Sequence, residues 1–122
     1  MTRPVRRMEC AVTFLSEANG GRKAPPVLNG GIFRPGTVIG DPSQRRAILD
    51  EHNHDTQAHF GITFESGPRV VPRDAEFIAT AFLTFYPGVD YKEYVPGATF
   101  TMREGHKVVG FGTIKRVWDT QE

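Results

Sequence analysis

Met8, Cys10, Val12 and Phe14 alternate with Glu9, Ala11, Thr13 and Leu15, so a period of two runs through Met8 to Ser16 and predicts a strand. Asn19-Gly20-Gly21-Arg22-Lys23 and then Pro25-Pro26 follow, punctuation that neither a helix nor a central strand interior tolerates. Asn29-Gly30-Gly31 marks a further turn before Phe33, Arg34, Pro35 and Gly36, and Thr37 to Ile39 are β-favouring but few. Between Asp41 and Glu51 the pattern changes: Asp41 can cap, Pro42 suits a first helical position and Gln44 completes a capping box, which predicts one short surface helix. Phe60, Ile62 and Phe64 restore the period of two, and Ser66-Gly67-Pro68 closes that strand. Phe77 to Phe85 predicts another, ended by Tyr86-Pro87-Gly88. After the Pro96-Gly97 turn, Ala98 to Arg103 and Lys107 to Trp118 form a terminal hairpin around Glu104-Gly105-His106, with Phe100, Met102, Val109, Phe111 and Ile114 as core candidates. Short strands separated by thirteen glycines and nine prolines imply an all-β barrel or sandwich.

Composition narrows the classes. The chain has 122 residues, the size of one domain, expected to cover 1–122 with its core within 8–118. Hydrophobic residues at 39% and charged ones at 24% exclude a disordered chain. No apolar run approaches the roughly 18 residues of a spanning helix, and no signal-peptide pattern follows Arg3, Arg6 and Arg7. The single cysteine, Cys10, excludes an internal disulfide framework and points to a cytoplasmic setting. Net charge is +1, but residues 1–46 carry +5, residues 47–76 carry −4 and the remainder is neutral. A nucleic-acid contact would therefore be local, because a general phosphate-binding surface needs more clustered Lys and Arg.

Four stretches, in order, resemble one known domain. Cys10-Ala11-Val12-Thr13-Phe14-Leu15-Ser16 leads to Gly20-Gly21-Arg22 and Pro25. Asn29-Gly30 precedes Arg34-Pro35, and Val70-Val71-Pro72-Arg73-Asp74 precedes the strand from Phe77. Phe100-Thr101-Met102-Arg103-Glu104-Gly105 continues to Val108-Val109-Gly110 and Gly112. Together they resemble the C-terminal β-barrel domain of bacterial elongation factor Tu, the translation GTPase that delivers aminoacyl-tRNA. The resemblance implies a six-stranded antiparallel barrel; the chain departs from it by an insertion at about 37–57, absent from the family domain, which holds the expected helix at 41–51. No Gly-x-x-x-x-Gly-Lys-Ser/Thr loop is present, so GTPase chemistry of that kind is excluded. In that family the barrel is not catalytic; it contacts tRNA, the nucleotide domain and the exchange factor.

The expectation that follows is a non-catalytic bacterial binding module without a cofactor, engaging a protein partner related to translation through surface contacts. The alternative is a weak tRNA or RNA backbone binder. By match to the family's motifs, Arg22, Lys23, Arg34, Arg103 and His106 are the candidate contact residues, joined in the RNA reading by an arm of Arg3, Arg6 and Arg7. Paired glycines let a backbone approach a phosphate while Arg or Lys supplies charge. Lys23 stands where the family has a histidine, and His106 where it has a glycine. A turn or buried-ion-pair role for Gly20-Gly21-Arg22 and Arg103-Glu104-Gly105 remains open beside the contact reading. Tyr91 and Tyr94 are candidates for a partner surface or for lids over the core, as are Tyr86 and Trp118. Asp50, Glu51, His52, His54, Asp55 and His59 form the one dense group of potential metal ligands, His52, His54 and His59 being a minor alternative to a solvated loop. Cys10, mid-strand, is expected to be a buried, inert thiol.

Overall fold

Alternation in the first segment places Met8, Cys10, Val12 and Phe14 on one face of a strand that begins earlier than the pattern implies. In a computed structural model, describing residues 2–122, six strands form: β1 (Pro4–Phe14), β2 (Gly36–Ile39), β3 (Phe60–Ser66), β4 (Glu76–Leu83), β5 (Thr99–Glu104) and β6 (Lys107–Gln121). They pair antiparallel in the order β1-β4-β3-β2-β5-β6, and β6 returns to β1, closing a barrel. The fold class expected from the sequence, an all-β six-stranded antiparallel barrel, is the one found. No helix of the described residues is long and apolar enough to cross a membrane.

The interior is filled by every second residue: Met8, Cys10, Val12 and Phe14 from β1, Ile62 and Phe64 from β3, Ala79, Ala81 and Leu83 from β4, Phe100 and Met102 from β5. Each such phenylalanine, methionine or leucine contributes roughly 1.5–3 kcal/mol by leaving water. On β6 the positions opposite Phe100 and Met102 are Gly112 and Gly110. An added Cβ at Gly112 would lie 2.7 Å from the Phe100 ring and 2.9 Å from the Ala11 carbonyl oxygen, and one at Gly110 2.6 Å from the Thr13 carbonyl oxygen. The missing side chains on β6 are therefore the space into which the β5 side chains lie. Bulges at Glu9/Cys10, Phe64/Ser66 and Met102/Arg103 shift register and bend the strands around the closure.

Aromatic clusters plug both ends. At one end Phe14 sits 5.8–6.0 Å from Phe33, Phe64 and Phe77, beneath the loops 15–35 and 67–75 and the β5–β6 turn. This is the glycine-loop end. At the other, Phe60, Tyr91 and Tyr94 lie 5.1–5.7 Å apart. This is the tyrosine end.

Several expectations are corrected. No helix forms over 41–51. Asp41 does cap, but its carboxylate takes Ser43 N–H at 2.8 Å and Ser43 Oγ at 2.7 Å to make one isolated turn. Beyond it Arg46 bridges to Lys107 and Leu49 to Asp55 in extended conformation. Ile48 and Leu49 stay 55% and 40% exposed, so no apolar stripe is buried to hold so short a helix. The insertion is also narrower than 37–57 at its start, since Thr37 to Ile39 belong to β2. Phe111 is outside the core: it is half-buried on the outer wall beneath the Arg45 guanidinium, 4.8 Å from the ring centroid. Trp118 lies across from Arg7 on the outer face, stacked with Arg116, rather than over the core. Strand β4 stops at Leu83, leaving Phe85 exposed in the turn.

Gly112→Ala should lower stability by about 1–3 kcal/mol, because the new methyl overpacks against Phe100 and the β1 backbone. Urea unfolding checks this. An unchanged midpoint would show that the β5 side chains have room to retreat.

Candidate functional site

Exposed polar chemistry at the glycine-loop end is built on a rigid base. Gly20 has φ +93°, and a Cβ at Gly21 would lie 1.8 Å from the Leu15 carbonyl oxygen, so the chain turns there only with glycine. Asp74 accepts Ser16 N–H at 2.9 Å, and the Ser16 side chain, then this N–H, then Asn19 hold its carboxyl below the usual range. Arg73 Nη1 donates to the carbonyls of Leu15 at 3.2 Å and Arg22 at 2.9 Å. These bonds fix Arg22, whose Nε meets Glu104 at 2.7 Å while its guanidinium lies over Phe33 at 5.1 Å. Arg22 thus joins the glycine loop to the β5–β6 turn. Lys23 is exposed and forms no ion pair among the described residues; Arg34, also exposed, folds its Nε back onto the Gly31 carbonyl at 3.1 Å. His106 is exposed at the β5–β6 turn.

The N-terminal basic arm is corrected outright. Arg6 and Arg7 are part of β1, Arg6 bound to Asp119 through two hydrogen bonds of 2.7 and 2.9 Å and Arg7 to Glu65 at 2.7 Å and Glu122 at 2.6 Å. Arg3 pairs its backbone with Glu122. Tyr91 and Tyr94 are buried, so the partner-surface alternative gives way to the lid reading. Tyr91 Oη donates to the Gly61 carbonyl at 2.7 Å, and Tyr94 Oη lies 2.6 Å from Thr37 Oγ1. Burial raises both phenolic pKa values. Tyr86 packs on the core with Arg6 over its ring at 4.4 Å. Cys10 is buried, its thiol pushed up to about 12 by loss of hydration and by Glu9.

Arg103 decides between the two roles left open for it. It faces outward from the barrel, alternating with core Met102, yet its side chain is 0% exposed because residues 40–59 cross the wall above it. This strap leaves β2 at the tyrosine end, reaches the β5–β6 turn where Ala47 N–H donates to the His106 carbonyl at 3.3 Å, and returns to β3. Arg103 Nε donates to Thr101 Oγ1 and Nη2 to Gln57 Oε1, each at 2.9 Å, while Nη1 lies 3.6 Å from Asp55 Oδ2 with no hydrogen-bond partner. Loss of hydration lowers the pKa of Arg103. Of the open alternatives, the buried ion pair is the one present.

Asp55 in turn accepts Gln57 N–H at 3.0 Å and holds His59 Nε2 at 2.8 Å. The Gln57 amide, then His59 and Arg103, hold its carboxyl below the usual range. His52 and His54 point away into solvent beside Glu51 and Asp50, their ring centroids 6.2 Å apart. Among the described residues no three His, Cys, Asp or Glu side chains converge in a metal-binding group.

Three exposed apolar residues went unread in the sequence. Val27, Ile32 and Val70 are 60%, 70% and 85% exposed. They flank a junction where Asn29 Nδ2 donates to the Gly67 carbonyl at 3.1 Å, Gly67 N–H returns to Asn29 Oδ1 at 3.3 Å and Gly30 N–H reaches the Glu65 carbonyl at 3.3 Å. A legible signal existed: these are large aliphatic residues inside Gly- and Pro-rich loops, where no strand period requires them.

The fold defines a closed antiparallel barrel whose exposed polar side chains lie mostly on its loops, on one strap and on the outer face of β6. No protein-family model matches the chain, and no curated protein matches it.

Asp55→Asn should destabilise the protein by about 2 kcal/mol at pH 7, as hydrogen bonds to a charged, largely buried group are lost. Because the folded carboxyl has a depressed pKa, that contribution is present above the ordinary carboxyl value of about 4 and disappears as pH falls through the folded value. Unfolding curves of the two proteins should therefore converge as pH falls below the ordinary carboxyl value. Curves that stay parallel throughout the acid range would dismiss the linkage.

Proposed function

We propose that this chain is a non-catalytic, cytoplasmic binding module that engages a protein partner through the glycine-loop end of its barrel. The observation that carries the reading is the apolar group Val27, Ile32 and Val70, exposed on loops that reciprocal hydrogen bonds hold in place. Aliphatic side chains presented on a rigid base lose little entropy on docking, which is what a protein interface exploits. The ion pairing of Arg6, Arg7 and Arg22 and the burial of Arg103 weigh toward a protein rather than a phosphate backbone. The resemblance to the elongation factor Tu C-terminal barrel supports a bacterial, translation-related partner, and a closed six-stranded antiparallel barrel is the fold that resemblance implies.

The RNA reading keeps one specific support: Lys23 and Arg34 are exposed at this same end.

Labelled protein titrated with the purified translation GTPase, with its exchange factor, and with bulk tRNA at about 50 and 200 mM salt separates these readings. Saturable binding to either protein that weakens at least tenfold in an Ile32→Asp, Val70→Asp variant is the expected result. Binding only to tRNA, falling steeply with salt and lost in Lys23→Ala, Arg34→Ala, would replace it with the RNA reading. Silence toward all three would remove translation from the proposal.

A further inference from the structure

The edge of Arg103 formed by Nη1 and Nη2 faces the strap residues Gln57 and Asp55. Gln57 Oε1 takes Nη2 at 2.9 Å, and Asp55 Oδ2 stands off Nη1 at 3.6 Å because it is engaged with His59 at 2.8 Å. A guanidinium presents its paired N–H groups in a fork suited to two oxygens of one anion, and here that fork is answered by a neutral amide and a distant carboxylate. Leaving a buried charged donor unpartnered is unfavourable. The barrel-side partner, Thr101 Oγ1 on Nε, belongs to β5 and stays whether or not the strap is seated.

The strap is braced by polar bonds within itself and tied to the barrel by few, chiefly Ala47 to His106, Gly40 to Thr99 and the Arg103 contacts. Gln44 and Gln57 pair their amides at 2.8 Å, Thr56 caps the Ile48 carbonyl and Ala47 holds the His106 carbonyl, while Ile48 and Leu49 remain outside any core. A segment with little buried apolar surface opens at a free energy well below that of global unfolding.

We propose that residues 40–59 are a displaceable strap, and that Arg103 beneath it is an oxyanion-binding site for which Asp55 and Gln57 are the internal occupants. The ligand is a phosphate or carboxylate gripped through Nη1 and Nη2, with Thr101 holding Nε in place. The site lies on the barrel wall and does not depend on the partner surface at the glycine-loop end.

Nitrogen-15 NMR of the whole protein tests this, with inorganic phosphate and N-acetyl-aspartate amide as separate probes at constant ionic strength. In Asp55→Asn, Gln57→Ala the amides of the strap should exchange at least tenfold faster than in wild type, those of β1 keeping their protection. The Arg103 Nε resonance should then move saturably with one probe or both. The tighter probe identifies the ligand as phosphate or carboxylate. Adding Arg103→Lys to that variant should weaken binding at least tenfold, since a point charge cannot make the fork. The wild type supplies a readout free of folding defects: because the anion binds only the open form, strap exchange should rise with probe concentration while β1 exchange does not. Strap amides indifferent to both probes in wild type would overturn the proposal. So would shifts spread over Lys23 and Arg34 without Arg103, which would mark an adventitious ion only.

Discussion

Closure of the sheet between β1 and β6 is what the rest of this molecule depends on. Both are long, and β1 pairs along most of its length with β6 on one side and β4 on the other. A six-stranded barrel has a narrow interior, so it closes only if the inward positions are matched in size across it. Gly110 and Gly112 on β6 provide that match by leaving their volume to Met102 and Phe100. Closure also leaves little free sheet edge, chiefly at Pro4–Arg6 of β1 and Val38–Ile39 of β2. Little edge is left for strand addition, while Lys115 and Arg116 on β6 remain exposed beside the side chains of the loops and the strap.

The same closure rearranges the charge. Along the chain the first third is basic and the middle acidic, which suggests a basic face beside an acidic one. In the fold the pairing does not follow those segments, for three of the first segment's arginines find carboxylates mostly in the last. Arg6 finds Asp119, Arg7 finds Glu65 and Glu122, Arg22 finds Glu104, and the acidic insertion lays Asp55 against Arg103. Arg3, Lys23, Arg34, Arg45 and Arg46 stay exposed and form no ion pair among the described residues. The glycine-loop end also presents the aliphatic side chains Val27, Ile32 and Val70 together with the exposed Lys23 and Arg34.

Much of the architecture was legible. The alternation from Met8 to Phe14 and from Phe60 to Phe64 named inward residues correctly, and so did Phe100 and Met102, because a period of two is a direct consequence of strand geometry. The terminal hairpin was legible for the same reason. The helix over 41–51 was misread because capping signals such as Asp41-Pro42 also suit a lone turn, and only buried apolar surface decides between them. Phe111 and Trp118 were misplaced because bulges change which side of the sheet a residue faces, and a bulge leaves no mark in the hydrophobic pattern.

The candidate site was less legible, for a reason that concerns distance along the chain. Local sequence determined strand positions, turn positions and the inward set, all of which follow from the conformational preferences and periodicity of neighbouring residues. Whether Arg103 is a surface contact or a buried charge depends on a segment nearly fifty residues earlier folding back across it, and whether Arg22 is free depends on Glu104. Burial and ion pairing are properties of contacts between remote segments. Only the tertiary structure, by bringing the strap onto the wall and β6 back to β1, decided which charges are partnered and which side chains face outward for another molecule to meet.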